Sequence, residues 1–85
     1  MSLTERKIID KIEVLDNNFI QIREANIIEK NGVEITRTFH RFILHPGDDL
    51  TEQEPKVVAI ANAIWTQEVI DAYRAKLKNL DTTYL

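Results

Sequence analysis

The chain has 85 residues, 44% of them hydrophobic, and a formal net charge of −3 at pH 7. A chain of that length buries only roughly 60–65% of the surface its unfolded form exposes, which predicts a single domain over residues 1–85 and leaves partner subunits as a source of further burial. Cysteine is absent, which excludes a disulfide framework and a thiolate zinc site, and the mild acidity excludes capture of nucleic acid or an anionic membrane by charge alone.

The charge is unevenly spread. Residues 1–45 carry seven basic and seven acidic side chains, whereas residues 46–85 carry four basic against seven acidic. No apolar run approaches the roughly 18 residues that a membrane-spanning helix needs, and no membrane partner is expected. The opening MSLTERKII lacks the apolar core of a secretory signal, so the expected location is the cytoplasm or a particle assembled there.

Arg6–Leu15 reads as a first strand. Ile8, Ile12 and Val14 alternate, Asp10 interrupts them, and β-branched residues dominate. Asp16-Asn17-Asn18 is a turn, because these side chains bond nearby backbone and Asn tolerates the left-handed conformation; a three-residue loop with Asn18 left-handed fits a bulge-type connection. Phe19–Lys30 and Val33–His45 are then two long strands folded back at Asn31-Gly32, the strongest short hairpin signal a sequence carries.

A two-residue turn sets Lys30 opposite Val33. Continued regularly, it sets Ile28 opposite Ile35, Asn26 opposite Arg37, Glu24 opposite Phe39, Ile22 opposite Arg41 and Ile20 opposite Ile43. The first loop adds Val14 beside Ile20 and Ile12 beside Ile22. The expected core face is therefore Ile12, Val14, Ile20, Ile22, Ile28, Val33, Ile35, Phe39 and Ile43. The other face mixes Gln21, Arg23, Thr36, Thr38 and His40 with Leu15, Phe19, Ile27, Phe42 and Leu44, which is more apolar than a wet face should be. A bulge in a strand would exchange the faces beyond it.

Pro46-Gly47 stops the sheet, and Asp48–Glu54 is an acidic connection. Pro55 suits a first helical position, so a helix is expected over Glu54–Trp65, with Val57, Ile60, Ala61 and Ile64 on its period, a wide apolar stripe and hence extensive burial. Thr66 is a second cap, opening a helix over Gln67–Leu80 on the period of Val69, Ile70, Tyr73, Leu77 and Leu80. Asp81–Leu85 is expected to be loosely held. Strands first and helices after predict an α+β fold: a three-stranded antiparallel β-meander followed by two helices packed on one face of the sheet.

Chemistry is sparse. His40, His45, Asp48 and Asp49 are the one cluster resembling a metal site, but their spacing matches no ligand motif. Asp48 and Asp49 capping a turn is the simpler reading, so no metal site is assigned. No nucleophile with an activating partner is visible, and two glycines cannot build a phosphate-cradling loop. The carboxylates of Asp48, Asp49, Glu52 and Glu54 lie in a loop without an apolar pocket to raise a pKa. No catalytic residue and no cofactor are assigned; the expectation is a protein that is not an enzyme.

The strand Arg37-Thr-Phe-His-Arg-Phe42 interleaves basic and aromatic residues as a single-strand nucleic-acid surface does. Parity divides them, with Arg37, Phe39 and Arg41 on one face and His40 and Phe42 on the other beside Arg23, and Glu24 is placed to neutralise Arg37 and Arg41. A nucleic-acid-binding accessory protein using Arg23, Arg37, His40, Arg41 and Phe42 is thus the alternative to a structural or interaction module. Trp65, on the flank of the first helix's stripe, reads first as core. Phe19, Arg23, His40, Phe42, Leu44 and Trp65 make the candidate partner surface, and self-association into a dimer or higher homo-oligomer, sheet to sheet or by a swapped hairpin, is expected.

The phrases HRFILHPGDDL and VVAIANAIWTQEVIDAYRAKL, within Ile12–Lys78, resemble a family of small proteins of tailed bacteriophages, marine phages among them. The family brings no known activity or catalytic residues. The resemblance implies a particle-related or host-takeover accessory role, virion or host proteins as partners, and a cytoplasmic or virion-associated location. Pro46-Gly47-Asp48-Asp49 and Trp65-Thr66 would be its shared structural punctuation. Gln67 stands where the family pattern has proline to start the second helix, which leaves helix initiation to Thr66.

Overall fold

The computed structural model describes residues 2–83, and of residues 79–83 the backbone alone. Its elements are β1 (Leu3–Val14), β2 (Ile20–Lys30), β3 (Val33–Leu44), α1 (Pro55–Ile64) and α2 (Gln67–Thr83). The strands form one antiparallel sheet in the order β1-β2-β3. The fold is therefore α+β, a three-stranded meander followed by two helices. β1 begins earlier than expected. α2 runs on through Thr83, into the segment expected to be loosely held; Tyr84, Leu85 and the side chain of Leu80 lie outside the described residues.

Both turns form where the small polar residues stand. Asn31 and Gly32 take φ of 53° and 82°, the doubly left-handed geometry that matches strand twist in a two-residue hairpin. Asn18 is left-handed at 68°, and Asn17 Oδ1 accepts a hydrogen bond from the Phe19 N–H at 3.1 Å.

The register corrects the regular pairing expected from the sequence. Lys30 does face Val33, and Ile12 and Val14 do face Ile22 and Ile20. Beyond the hairpin tip, however, Glu29 faces Glu34 while Ile28 faces Thr36, so Ile35 is an extra residue and every later pair on β3 shifts by one. Ile22 thus faces Phe42 rather than Arg41, and Ile20 faces Leu44 rather than Ile43. A second bulge sits in β1, where Ile9 faces Glu24 and Lys11 faces Arg23, leaving Asp10 without a partner. A bulge inserts one residue, and everything past it changes face.

One face consequently gathers Ile12, Val14, Ile20, Ile22, Phe42 and Leu44 at the loop end, and Leu3, Ile28 and Val33 at the hairpin tip. The other gathers Ile8, Ala25, Ile27, Phe39 and Ile43 with Arg6, Arg23, Arg37 and Arg41. Ile20, Ile22, Ala25 and Ile27 are fully buried, whereas Val14, Val33, Ile35, Phe39 and Ile43, expected in the core, are exposed.

The chain forms two compact units: the sheet, with Ile20–Leu44 and the chain up to Leu15, and a helical unit, with Asp16–Phe19 and the chain from His45 onward. In the helical unit Pro55 opens α1. α1 is less buried than its stripe predicts, with Val57 and Ala61 buried but Ile60 and Ile64 only half-buried. Trp65 closes α1 by donating its backbone N–H to the Ala61 carbonyl at 2.8 Å. Thr66 caps α2 as expected, its Oγ1 accepting from the Val69 N–H at 3.2 Å.

Candidate functional site

On the arginine-bearing face, Ile27 lies between Arg6 and Arg37, and Ala25 between Ile8 and Phe39. Three of the four arginines on this face, Arg6, Arg23 and Arg37, are each held by a carboxylate. Arg6 Nε donates to Glu29 at 3.1 Å. Arg23 makes a two-pronged contact with Asp10, at 2.9 and 2.8 Å, and Arg37 does the same with Glu34, at 3.0 and 2.8 Å. The Arg23 guanidinium also lies 4.5 Å from the centre of the Phe39 ring, a cation–π contact. Arginine stems bury apolar surface while their heads stay wet, which accounts for a fully buried Ile27 between two charged neighbours.

The hydrogen bond from Arg23 holds the Asp10 carboxyl below its ordinary value, and that from Arg37 does the same for Glu34; both arginines are raised in return. The expected neutralisation of Arg37 and Arg41 by Glu24 does not form: Glu24 faces His40 on the opposite face, and Arg37 pairs with Glu34 instead.

The six candidate surface residues do not form one patch. Arg23 lies on the arginine-bearing face, whereas His40, Phe42 and Leu44 lie on the opposite one, which corrects the shared face expected for them; the shift at Ile35 is the reason. His40 and Phe42 are neighbours, with ring centres 5.8 Å apart, but Leu44 is buried. Phe19 and Trp65 belong to the helical unit. Phe19 stands edge-on to His45 at 4.6 Å and to Tyr73 at 5.6 Å, while His45 and Tyr73 stack at 5.7 Å. Trp65 is 7% exposed and donates its indole N–H to the Asn18 carbonyl at 2.7 Å. These rings tie the 16–19 loop to the helices.

His45, Asp48 and Asp49 build a turn. Asp48 Oδ2 accepts from the His45 N–H at 2.7 Å and lies 3.5 Å from His45 Nδ1. Asp49 accepts from the Thr51 N–H at 3.0 Å, which keeps its carboxyl below the ordinary value. Gly47 is left-handed at φ 90°, and a Cβ there would come within 3.2 Å of Ile70 and 3.3 Å of Arg74, so the turn is pressed onto α2. His40 is on β3, and among the described residues no group of three potential ligands gathers.

The helical unit also holds a groove of about 640 Å³, lined among others by Asn18, Phe19, His45, Val69, Tyr73 and Leu77. Such walls suit an apolar or aromatic group. The groove was not foreseen because its lining comes from three separate stretches of chain; the one visible signal was the helical spacing of Val69, Tyr73 and Leu77. Among the described residues no helix is long and apolar enough to cross a membrane. Comparison with protein-family models, curated proteins and solved structures returns no significant match.

Proposed function

We propose that this chain is a non-catalytic structural or protein-interaction module that self-associates and works in a phage-related setting. The observation that carries the reading is the apolar surface the sheet leaves exposed on both faces: Leu3 and Val33 on one, Phe39 and Ile43 on the other, and Ile35 at the bulge, each 46–65% exposed. Side chains of that size left in water in number mark contact surfaces. The ionic groups around them support the same reading, because Arg6, Arg23 and Arg37 are each neutralised by a carboxylate and do not converge on a substrate. The phage setting, with virion or host proteins as further partners and a cytoplasmic or virion-associated location, rests on the resemblance of HRFILHPGDDL and VVAIANAIWTQEVIDAYRAKL. The nucleic-acid reading draws less support, since Arg23 and Arg37 are already engaged by Asp10 and Glu34.

Sedimentation velocity over roughly 1–100 micromolar, a span that brackets ordinary subunit affinities, tests self-association. A dimer or larger species should grow in with concentration. A clean monomer throughout rules the reading out.

A further inference from the structure

We infer that the outer edge of β3 is where a second copy joins, by antiparallel pairing of β3 with β3 about a two-fold axis at His40. The inference rests on the self-association proposed above and names its surface. Each outer strand of the sheet leaves a row of backbone groups without a neighbouring strand, and among the described residues no other backbone hydrogen bond reaches β3. Native sheets guard such edges with lysine, proline, mid-strand bulges or charge. β1 is guarded: it carries Arg6, Lys7 and Lys11 and is broken by the bulge at Asp10. β3 is guarded less. It carries Glu34, Arg37 and Arg41, but Glu34 and Arg37 pair with each other; it has neither lysine nor proline, it is exposed from Val33 to Arg41, and its bulge at Ile35 lies close to the tip. A guarded β1 also argues against a β1-to-β3 contact, which would propagate an open fibre, and leaves the closed two-fold.

The register follows from the strand itself. Regular pairing on β3 runs from Thr36, just past the bulge, to Leu44, and Pro46 cannot extend a ladder. The midpoint of that run is His40, so an axis there uses every regular residue. It sets Phe39 opposite Arg41 of the second copy, Arg37 opposite its Ile43, Thr38 opposite its Phe42 and Thr36 opposite its Leu44. Each pair joins residues of one face, as the pleat demands. Moving the axis to Phe39 would set Arg37 against Arg41, and moving it to Arg41 would set that arginine against itself, both disfavoured as like-charge pairs. Only the axis at His40 combines the full ladder with no facing arginines.

Residues directly opposite on antiparallel strands have Cα atoms roughly 4.5–5.5 Å apart, within the span of a disulfide. The natural chain has no cysteine, so His40→Cys supplies a single thiol on the axis. Mild oxidation of this variant should give a covalent dimer in high yield, while Arg37→Cys, whose two copies fall far from the axis, should cross-link weakly. His40→Lys, placing two ammonium groups opposite each other, should loosen the association by roughly two- to fivefold. A chain that sediments as a dimer yet cross-links no better at position 40 than at 37 overturns the edge pairing and leaves self-association standing. A chain that stays monomeric overturns both. A chain whose β3 is protected only when an unrelated extended peptide is added likewise overturns the second copy as occupant.

Discussion

The two halves of β2 bury their side chains by different means. Near the first loop, Ile20 lies between Val14 and Leu44, and Ile22 between Ile12 and Phe42. Toward the hairpin tip, Ile27 lies on the opposite face between Arg6 and Arg37, each of them fixed by a glutamate. Ile22 and Ile27 are both completely buried. One has branched and aromatic neighbours across the sheet, the other ion-paired arginines. A small sheet can therefore bury a central strand on both faces without doubling its apolar content; the bulge at Asp10 changes the face of β1 between the two sites, whereas the shift at Ile35 lies beyond Ile27, at the tip.

Truncating the two isoleucines breaks the comparison most directly. Ile22→Ala and Ile27→Ala remove the same atoms from equally buried sites, and such changes cost about 2–5 kcal/mol according to how well the site collapses. Ile22, held by the stiff Ile12 and the ring of Phe42, should sit in the upper half, at about 3–4 kcal/mol. Ile27 should cost about 2 kcal/mol, because flexible arginine stems can settle into the vacancy. Urea unfolding at one fixed protein concentration measures both. Equal losses, or a larger loss at Ile27, would show that the arginine stems are as rigid a wall as the apolar one.

Within the sheet, acid acts through the carboxylates that hold Arg23 and Arg37. Asp10 and Glu34 are held below their ordinary values of 3.8 and 4.5, chiefly by hydrogen bonds from Arg23 and Arg37. A lowered folded-state pKa gives stability that is complete above the unfolded value and is lost as pH falls through the folded one. The melting temperature should hold steady from neutrality to about pH 4.5 as far as these pairs are concerned, then fall. Asp10→Asn should melt lower than the natural chain at pH 7, with the gap closing below pH 4. A gap independent of pH would mean that Asp10 acts through its shape and not its charge.

Much of this arrangement was readable from the residues. Asn31-Gly32 located the hairpin, Asp16-Asn17-Asn18 the first turn, Pro55 and Thr66 the helix starts, and alternation in β1 the pairs Ile12–Ile22 and Val14–Ile20. The faces of β3 were not, because Ile35 is a β-branched strand former carrying no mark of a bulge. The available signal was conflicting: Val33, Ile35, Phe39 and Ile43 share one parity, Phe42 and Leu44 the other, and alternation cannot say which set wins. Asp10 did leave a trace, since a carboxylate interrupting an apolar alternation is where β1 bulges. Trp65 read first as core and is buried, but its bond to Asn18, and the packing of Phe19 on His45 and Tyr73, could not be read from spacing, as these partners are distant in the chain.

The bulge at Ile35 offers the finest test of the two halves. Glu29 faces Glu34 and Ile28 faces Thr36, so consecutive residues of β2 already bracket the extra one. Deleting Ile35 would leave every other pair in place, including Ile22 with Phe42 and Ile20 with Leu44. Ile35 is itself largely exposed, so little burial is lost with it; what goes is the added local twist that a bulge supplies. The expected change is within about 1 kcal/mol, with the Ile22–Phe42 contact still seen by NMR. Inserting a residue after Thr38 is the contrasting change, because it turns Phe42 and Leu44 off the face of Ile20 and Ile22 and brings Ile43 onto it. If deletion proved as harmful as insertion, the bulge would have to act by bending β3, and the difference between the halves of β2 would lie in strand curvature before it lay in side-chain chemistry.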